Sequence, residues 1–518
     1  MLPQGGSICS AHADKFDVTP FCSAIIQMSS DADFILTSKG YSVRKSALTP
    51  VQTRRIQEEL LVTPKMNMKF ANKAAKDAAT FKLYRESPTR WYLPRAWGRA
   101  AFGAPSHSVV PEGLDLPAAA LSFQGSPYDY QEAIMNTFVN AGANGLICVP
   151  CGKGKTFMAI RIAIMLKKRF LVVVDKEFLM NQWRGEMKAL VPSLRVGIIQ
   201  GPKREIDPAL FDCTICMIQT VCGQEFEEGA FNNFGFTIFD ECHHLGAQHF
   251  SKTLQRIQTK YMLGLSATPT REDGLTKVFT WFLGEPVYWE KTREPDPTVE
   301  VKGVFIETDD MTYNTVPTNW RGEPVMAQLL GNVLGCEERN REIVSWILGL
   351  CDEPTRKVLV LSERIGHLNR IEEIIKASDP TLTMAYYIGG MKEAVREAGA
   401  ASARILLASY AMASEAMNIK TLNAVILASP RKQVEQSTGR ILRTRAEQRT
   451  VAPMIIDIVD NHSMYMSQWR KRLTYYRKCA YQIERWKIGA ESGEVLGSRA
   501  KKESTAETEP LQQCLLED

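Results

Sequence analysis

Two short runs in this 518-residue chain hold residue types whose spacing suits phosphoryl chemistry. The first, Pro150-Cys151-Gly152-Lys153-Gly154-Lys155-Thr156, stands between an apolar stretch, GLICV, and a helical pattern, FMAIRIAIML. A glycine-rich turn at a strand-to-helix junction lets backbone N–H groups and the helix N-terminus surround phosphate oxygens. A lysine there neutralises the terminal phosphates, and a hydroxyl holds magnesium. The seven residues are therefore the candidate ATP-binding loop, with Lys155 as its catalytic cation and Thr156 as a ligand of Mg2+. Val149 stands where the full Walker consensus has glycine, so the match is to the motor-ATPase form of the loop.

The second run closes an apolar stretch, FTIF, with Asp240-Glu241-Cys242-His243-His244. A carboxylate at a strand's C-terminal edge in a nucleotide site can hold hydrated magnesium, and its neighbour can orient or deprotonate the attacking water. Asp240 is assigned to the metal and Glu241 to the water. His243 is expected to couple the site to the next motif. By itself an acidic pair after a strand is commonly a turn or a helix cap; the phosphate loop upstream makes it the expected second half of one site.

Parallel strands must bring the two runs together. From about Gly145 to Tyr288, strand-sized apolar runs (GLICVP, FLVVVD, VGIIQ, CTICMIQ, FTIFDE, MLGLSAT) alternate with helical patterns, which predicts a parallel sheet covered on both faces. A second series (KVLVLS, TMAYYIG, RILLASY, AVILAS, MIIDIV) predicts a second lobe of similar size. The expected organisation is an N-terminal accessory domain over 1–115, a first lobe over 116–290 and a connector over 291–330. A second lobe over 331–462 and a basic, aromatic helix with a disordered tail over 463–518 complete it.

Composition is that of a soluble globular protein, with 45% hydrophobic and 23% charged residues. No apolar run is long enough to cross a bilayer, and the N-terminal sequence carries no recognisable signal, so an intracellular protein without a membrane partner is expected. The 12 cysteines are scattered, which argues for reduced thiols. Cys148/Cys151 and Cys213/Cys216 each have half-zinc-site spacing but lie in or beside strand-like runs. A net charge of +5 is compatible with nucleic acid. Two basic, aromatic segments are candidates for that contact. Lys65–Arg99 includes Lys69, Lys73 and Arg95 with Phe81, Tyr84, Trp91 and Trp97, and reads equally well as a small folded domain with a basic face. Tyr465–Lys487 reads first as a helix whose aromatics dock on the core.

The motifs resemble, in order, those of superfamily 2 helicases of the DExH group. Asp-Glu-Cys-His is similar to motif II. Tyr128-Asp129-Tyr130-Gln131 resembles the element whose glutamine contacts adenine, here Gln131, and Leu171–Trp183 resembles motif Ia. Ser266-Ala267-Thr268-Pro269 resembles motif III, which couples hydrolysis to movement, with Ser266 and Thr268 able to bond motif II. Gln436-Ser437-Thr438-Gly439-Arg440-Ile441-Leu442-Arg443 resembles motif VI, which implies catalytic roles for Gln436 and for Arg440 and Arg443 as arginine fingers, Arg443 preferred. The motif V segment, Ser409–Ile419, keeps Glu415 but has Ala416 and Asn418 where the family has glycine and aspartate.

The wording LGLSATPTREDG, KVLVLSERIGHL and EQSTGRILR is similar to XPB-type helicases, closest to versions carried by large DNA viruses. The resemblance implies two tandem RecA-like α/β lobes and an ATP- and Mg2+-dependent helicase or translocase. It implies single- or double-stranded DNA as the track, and a partner in the transcription machinery or a role in repair. If viral, the protein would work in the viral factory, host nucleus or virion. A double-strand translocase or RNA helicase is the alternative, and a non-catalytic DNA-binding recruitment factor would lack the ATPase residues present here.

Overall fold

The computed structural model describes residues 32–65, 77–291, 294–415, 417, 419, 421–442 and 448–496. Its internal contacts divide the chain into two compact units, the first reaching Glu290 apart from the loop Pro150–Gly152, the second beginning at Lys291.

The first unit opens with a small mixed sheet. Its strands are β1 (Phe34–Thr37), β2 (Gly40–Arg44), β5 (Arg85–Glu86), β6 (Arg90–Leu93) and β7 (His107–Ser108), in the order β5-β6-β2-β1-β7; β3 (Leu61–Val62) and β4 (Phe81–Lys82) pair separately. The described part of the N-terminal accessory region packs directly on the lobe that follows. Tyr41, Trp91 and Trp97 belong to the same hydrophobic cluster as Phe239, Phe279 and Leu283 of the lobe that follows. The aromatics Phe81, Tyr84, Trp91 and Trp97 are buried, so this segment's rings serve packing. Arg95, expected to face nucleic acid, is instead 4% exposed. It opens the helix Arg95–Phe102 and donates to Gln258 Oε1 at 3.1 Å, Asn144 Oδ1 at 3.2 Å and the Thr259 carbonyl at 2.8 Å. A guanidinium engaged on so many protein oxygens has no free edge for phosphate. Lys69 and Lys73 lie outside the described residues.

The first lobe follows: β8 (Asn144–Cys148), β9 (Phe170–Val174), β10 (Val196–Gln200), β11 (Lys203–Arg204), β12 (Cys213–Met217), β13 (Phe236–Phe239), β14 (Tyr261–Ser266) and β15 (Pro286–Trp289). Among the described residues they form one sheet in the order β11-β10-β12-β9-β13-β14-β8-β15, parallel except for the β10–β11 edge pair. β9 and β12 are buried at every position, which is why their sequences run apolar without alternation. Crossovers place β13 between β9 and β14, and β14 against β8, so three chemistry-bearing loops leave one edge of the sheet side by side.

The second unit is also a RecA-like lobe. Its strands are β16 (Glu300–Ile306), β17 (Val358–Ser362), β18 (Met384–Tyr387), β19 (Ile405–Ser409), β20 (Ala424–Leu427), β21 (Met454–Asp460), β22 (Gln482–Lys487) and β23 (Glu494–Val495), ordered β18-β19-β17-β20-β21-β16-β22-β23. Two expectations change. The supposed connector supplies β16, an inner strand, and the segment after the lobe supplies β22, parallel to it. Between them the helix Ser463–Lys478 docks through Trp469 and Tyr476, with the Trp469 indole so close to Gly303 that a Cβ there would lie 2.6 Å from it. Arg472 pairs with Asp457 through Nε at 2.8 Å and Nη2 at 2.9 Å, both side chains almost wholly buried.

Replacing Arg95 with leucine should lower the unfolding free energy of the first unit by about 3 kcal/mol, because several buried oxygens lose a charged donor. Urea unfolding measures it, and the salt dependence of nucleic-acid binding should stay unchanged. In the second lobe, His367 lies between Ser362 Oγ and Asn340 Oδ1, each at 2.9 Å, and burial, with the Arg339 charge adding to it, pushes its imidazole down to about 3. The unfolded chain takes up this proton near pH 6.5 and the folded chain only far lower. The stability contribution is therefore complete above about pH 6.5 and declines as pH falls toward 3. Unfolding at pH 7 and pH 5 should differ by on the order of 2 kcal/mol from this residue, a difference that His367→Gln should shrink.

Candidate active site

The phosphate loop leaves β8 and enters the helix Lys155–Leu166 through Gly154, whose backbone is left-handed at φ 81. A side chain at this position is excluded twice, since a Cβ would also stand 2.4 Å from Gln131 Nε2. Gln131 is 4% exposed, and its carboxamide accepts from Tyr128 N–H at 3.0 Å while donating to the Lys153 carbonyl at 3.0 Å. Tyr130 OH reaches the same carbonyl at 3.2 Å. The glutamine expected to read adenine is thus also the brace of the phosphate loop. Lys153 pairs with Glu290 Oε1 at 3.4 Å and lies over the Tyr130 ring.

Asp240 follows β13. Its Oδ2 accepts from Trp183 Nε1 at 2.8 Å and its Oδ1 from Glu241 N–H at 3.0 Å. Trp183 comes from the helix Glu177–Leu190 and is fully buried, so the Asp240 carboxylate is held from beneath by a rigid donor. The sequence places this tryptophan at the end of the segment resembling motif Ia and gives no sign of its bond to Asp240. Burial, followed by the charge of Glu241, pushes the Asp240 carboxyl up to about 6, against the opposing pull of the Trp183 hydrogen bond and the Lys155 ammonium.

Glu241 adopts φ 40, ψ 51, a left-handed conformation that costs a non-glycine residue on the order of 1 kcal/mol. The turn brings its Oε1 within 3.7 Å of Lys155 Nζ and its Oε2 within 3.4 Å of His243 Nδ1. His243 Nδ1 is also 3.0 Å from Ser266 Oγ at the end of β14, and Ser266 Oγ accepts from Thr268 N–H at 3.1 Å. Thr268 joins through its backbone rather than its hydroxyl. Burial above all holds the His243 imidazole down at about 4, so the ring is neutral, and one proton on Nδ1 can point at Glu241 or be absent to receive the Ser266 hydroxyl, not both. Arg271, which sequence reasoning passed over, donates to the His243 carbonyl at 2.6 Å and is clamped by Asp273. Its signal was its place directly after motif III.

The donors fit magnesium. Each Asp240 oxygen uses one lone pair within the protein and keeps another, and Thr156 stands in the first helical turn beside Lys155. A bound ion would neutralise phosphate charge; the protein's own part is to hold Asp240 ionised and oriented.

In the second unit, motif VI runs from the helix Glu435–Thr438 into the turn Gly439–Leu442. Gln436 is half-buried. Arg440 is 6% exposed, and its Nε and Nη1 donate to the carbonyls of Ala413 and Met417, the latter at 2.8 Å, so it ties motif VI to motif V. Arg443, Ala416 and Asn418 lie outside the described residues.

The family described as the type III restriction enzyme res subunit matches residues 124–271, which span the phosphate loop through motif III. A protein of Acanthamoeba polyphaga mimivirus named as an ATP-dependent RNA helicase is 32% identical over 463 residues, 88% of this chain and 87% of that one. An African swine fever virus protein with the same kind of name is 28% identical over 64% of this chain and 68% of its own. A protein of invertebrate iridescent virus 6 named as a helicase is 24% identical over 73% of this chain and 87% of its own. A solved HsdR fragment of a Vibrio vulnificus type I restriction enzyme superposes with a TM-score of 0.49 at 16% identity, over 77% of this chain and 74% of that one. With the phosphate loop, the acidic pair and the Ser266 link assembled on one sheet edge, and with a relative this similar along nearly its whole length, the chain belongs to the superfamily 2 helicases, enzymes that hydrolyse ATP.

Proposed function

We propose that the chain is an ATP- and Mg2+-dependent motor that unwinds or translocates along DNA, single- or double-stranded, in the manner of XPB-type helicases. The observation that carries the catalytic part is the linkage Lys155–Glu241–His243–Ser266, in which each contact is 3.7 Å or less. Before ATP arrives, the Lys155 ammonium is drawn toward Glu241. A γ-phosphate competes for that lysine and frees the carboxylate to align the attacking water. Asp240 and Thr156 would hold Mg2+, which would supply charge neutralisation at the phosphates. A change at Glu241 reaches β14 through His243 and Ser266, which is the coupling a motor needs. Arg443 and Arg440 of motif VI are the candidate arginine fingers, cations that would meet the charge developing in the transition state.

DNA as the track is supported by the XPB-like motif wording. A second reading, RNA, is favoured by the names of the mimivirus and African swine fever virus relatives. Under either, Lys69 and Lys73 remain candidate nucleic-acid contacts. Transcript release or repair, and a place in the viral factory, nucleus or virion, belong to this proposal.

Steady-state ATPase with no nucleic acid, single-stranded DNA, duplex DNA and RNA chooses the track by which polymer stimulates. Lys155→Ala should abolish turnover. Glu241→Gln should keep ATP binding and reduce hydrolysis by about a hundredfold or more. Near-normal turnover in either variant would overturn the site assignment.

A further inference from the structure

The segment between β16 and the helix Met326–Gly335 carries a feature that the ATP site does not use. Trp320 is 85% exposed, whereas Trp469, Tyr313, Tyr410 and Tyr476 of the same unit are buried. A tryptophan left this open forgoes the burial that normally accounts for its presence in a folded chain.

The turn beneath it is well tied. Asn319 N–H donates to the Glu323 carbonyl at 2.8 Å, and Gly322 N–H to the Asn319 carbonyl at 2.9 Å. Asn319 Oδ1 accepts from Arg321 N–H at 2.9 Å and Glu323 N–H at 3.1 Å. Thr318 and Pro324 bridge below, and Val325 N–H closes on the Pro317 carbonyl at 2.7 Å. The indole is therefore presented on a fixed support. The Arg321 guanidinium lies 4.3 Å from its ring centroid and is itself exposed. The helix after the turn is anchored at the carboxyl edge of the sheet, where Arg364, two residues past β17, donates to the Ala327 carbonyl at 2.8 Å. Parallel α/β sheets bind their ligands outside that edge.

We propose that Trp320 is a stacking platform for a base of single-stranded nucleic acid, with Arg321 meeting the adjoining phosphate. With the Arg321 guanidinium over one face of the ring and the residue still 85% exposed, the indole keeps open surface for an unpaired base, and the guanidinium is a cation for its phosphate. The proposal rests on the reading of the chain as a nucleic-acid motor.

The test uses the full chain with Trp320→Ala and Trp320→Phe, and short DNA and RNA single strands carrying 2-aminopurine, each paired with an abasic version. Trp320→Ala should weaken binding of the base-containing strand by about tenfold and remove 2-aminopurine quenching, with Trp320→Phe retaining most of both. The abasic strand should bind wild type and Trp320→Ala alike, and ATPase without nucleic acid should be unchanged. Unaltered affinity and quenching in Trp320→Ala would overturn the proposal, as would equal loss on base-containing and abasic strands. Stimulation of wild type by duplex alone would overturn the platform and leave the motor intact; no stimulation by any nucleic acid would overturn the motor itself.

Discussion

Two adjacent carboxylates, Asp240 and Glu241, must stay ionised at the largely buried edge of a sheet, and much of the first lobe is arranged around that requirement. Desolvation, followed by the charge of Glu241, favours the neutral acid at Asp240. Two features oppose this. The Trp183 N–H binds one oxygen of Asp240 from the protein side, and the Lys155 ammonium faces both charges from the phosphate loop. The left-handed turn at Glu241 separates the two carboxylates' directions, leaving Asp240 against the helix Glu177–Leu190 and Glu241 toward Lys155 and His243. Such strain persists only where the surroundings over-determine it, and here the ladder bond from Asp240 N–H to the Val173 carbonyl fixes the turn's start.

Buried arginines are the second recurring device. Arg95 seals the N-terminal sheet to the first lobe, and Arg339, with no exposure, grips Asp460 at 2.6 and 3.0 Å and the Ala428 carbonyl at 2.8 Å. Arg472 fastens the last long helix to Asp457, and Arg440 joins motif VI to motif V. A planar fork with several fixed donors can bind a carboxylate and a carbonyl together, which an ammonium cannot do as rigidly. Breaking such a pair leaves a buried charge, so these contacts specify how elements meet even where their net stabilisation is small.

The same economy explains why charge composition misleads here. Among the described residues one cation in each of the two basic, aromatic segments, Arg95 and Arg472, is internal, and aromatic neighbours such as Trp91, Trp97, Trp469 and Tyr476 are buried. The exposed pair Trp320 and Arg321 lies in a stretch whose composition suggests only a connector.

The amino-acid sequence by itself determined that two α/β lobes exist and where the phosphate loop, the acidic pair and motif III fall, because buried parallel strands and glycine-rich turns leave local, periodic signatures. It also singled out Lys155, Asp240 and Glu241, which the fold brings together, since each follows directly from the strand or turn it ends. Only the tertiary structure decided that Gln131 braces the phosphate loop at the Lys153 carbonyl, that Trp183 holds Asp240, that Arg95 is internal, and that β16 and β22 complete the second sheet. These depend on residues far apart in the chain, and whether a cation or an aromatic ring faces solvent is set by what packs over it, which no local pattern encodes.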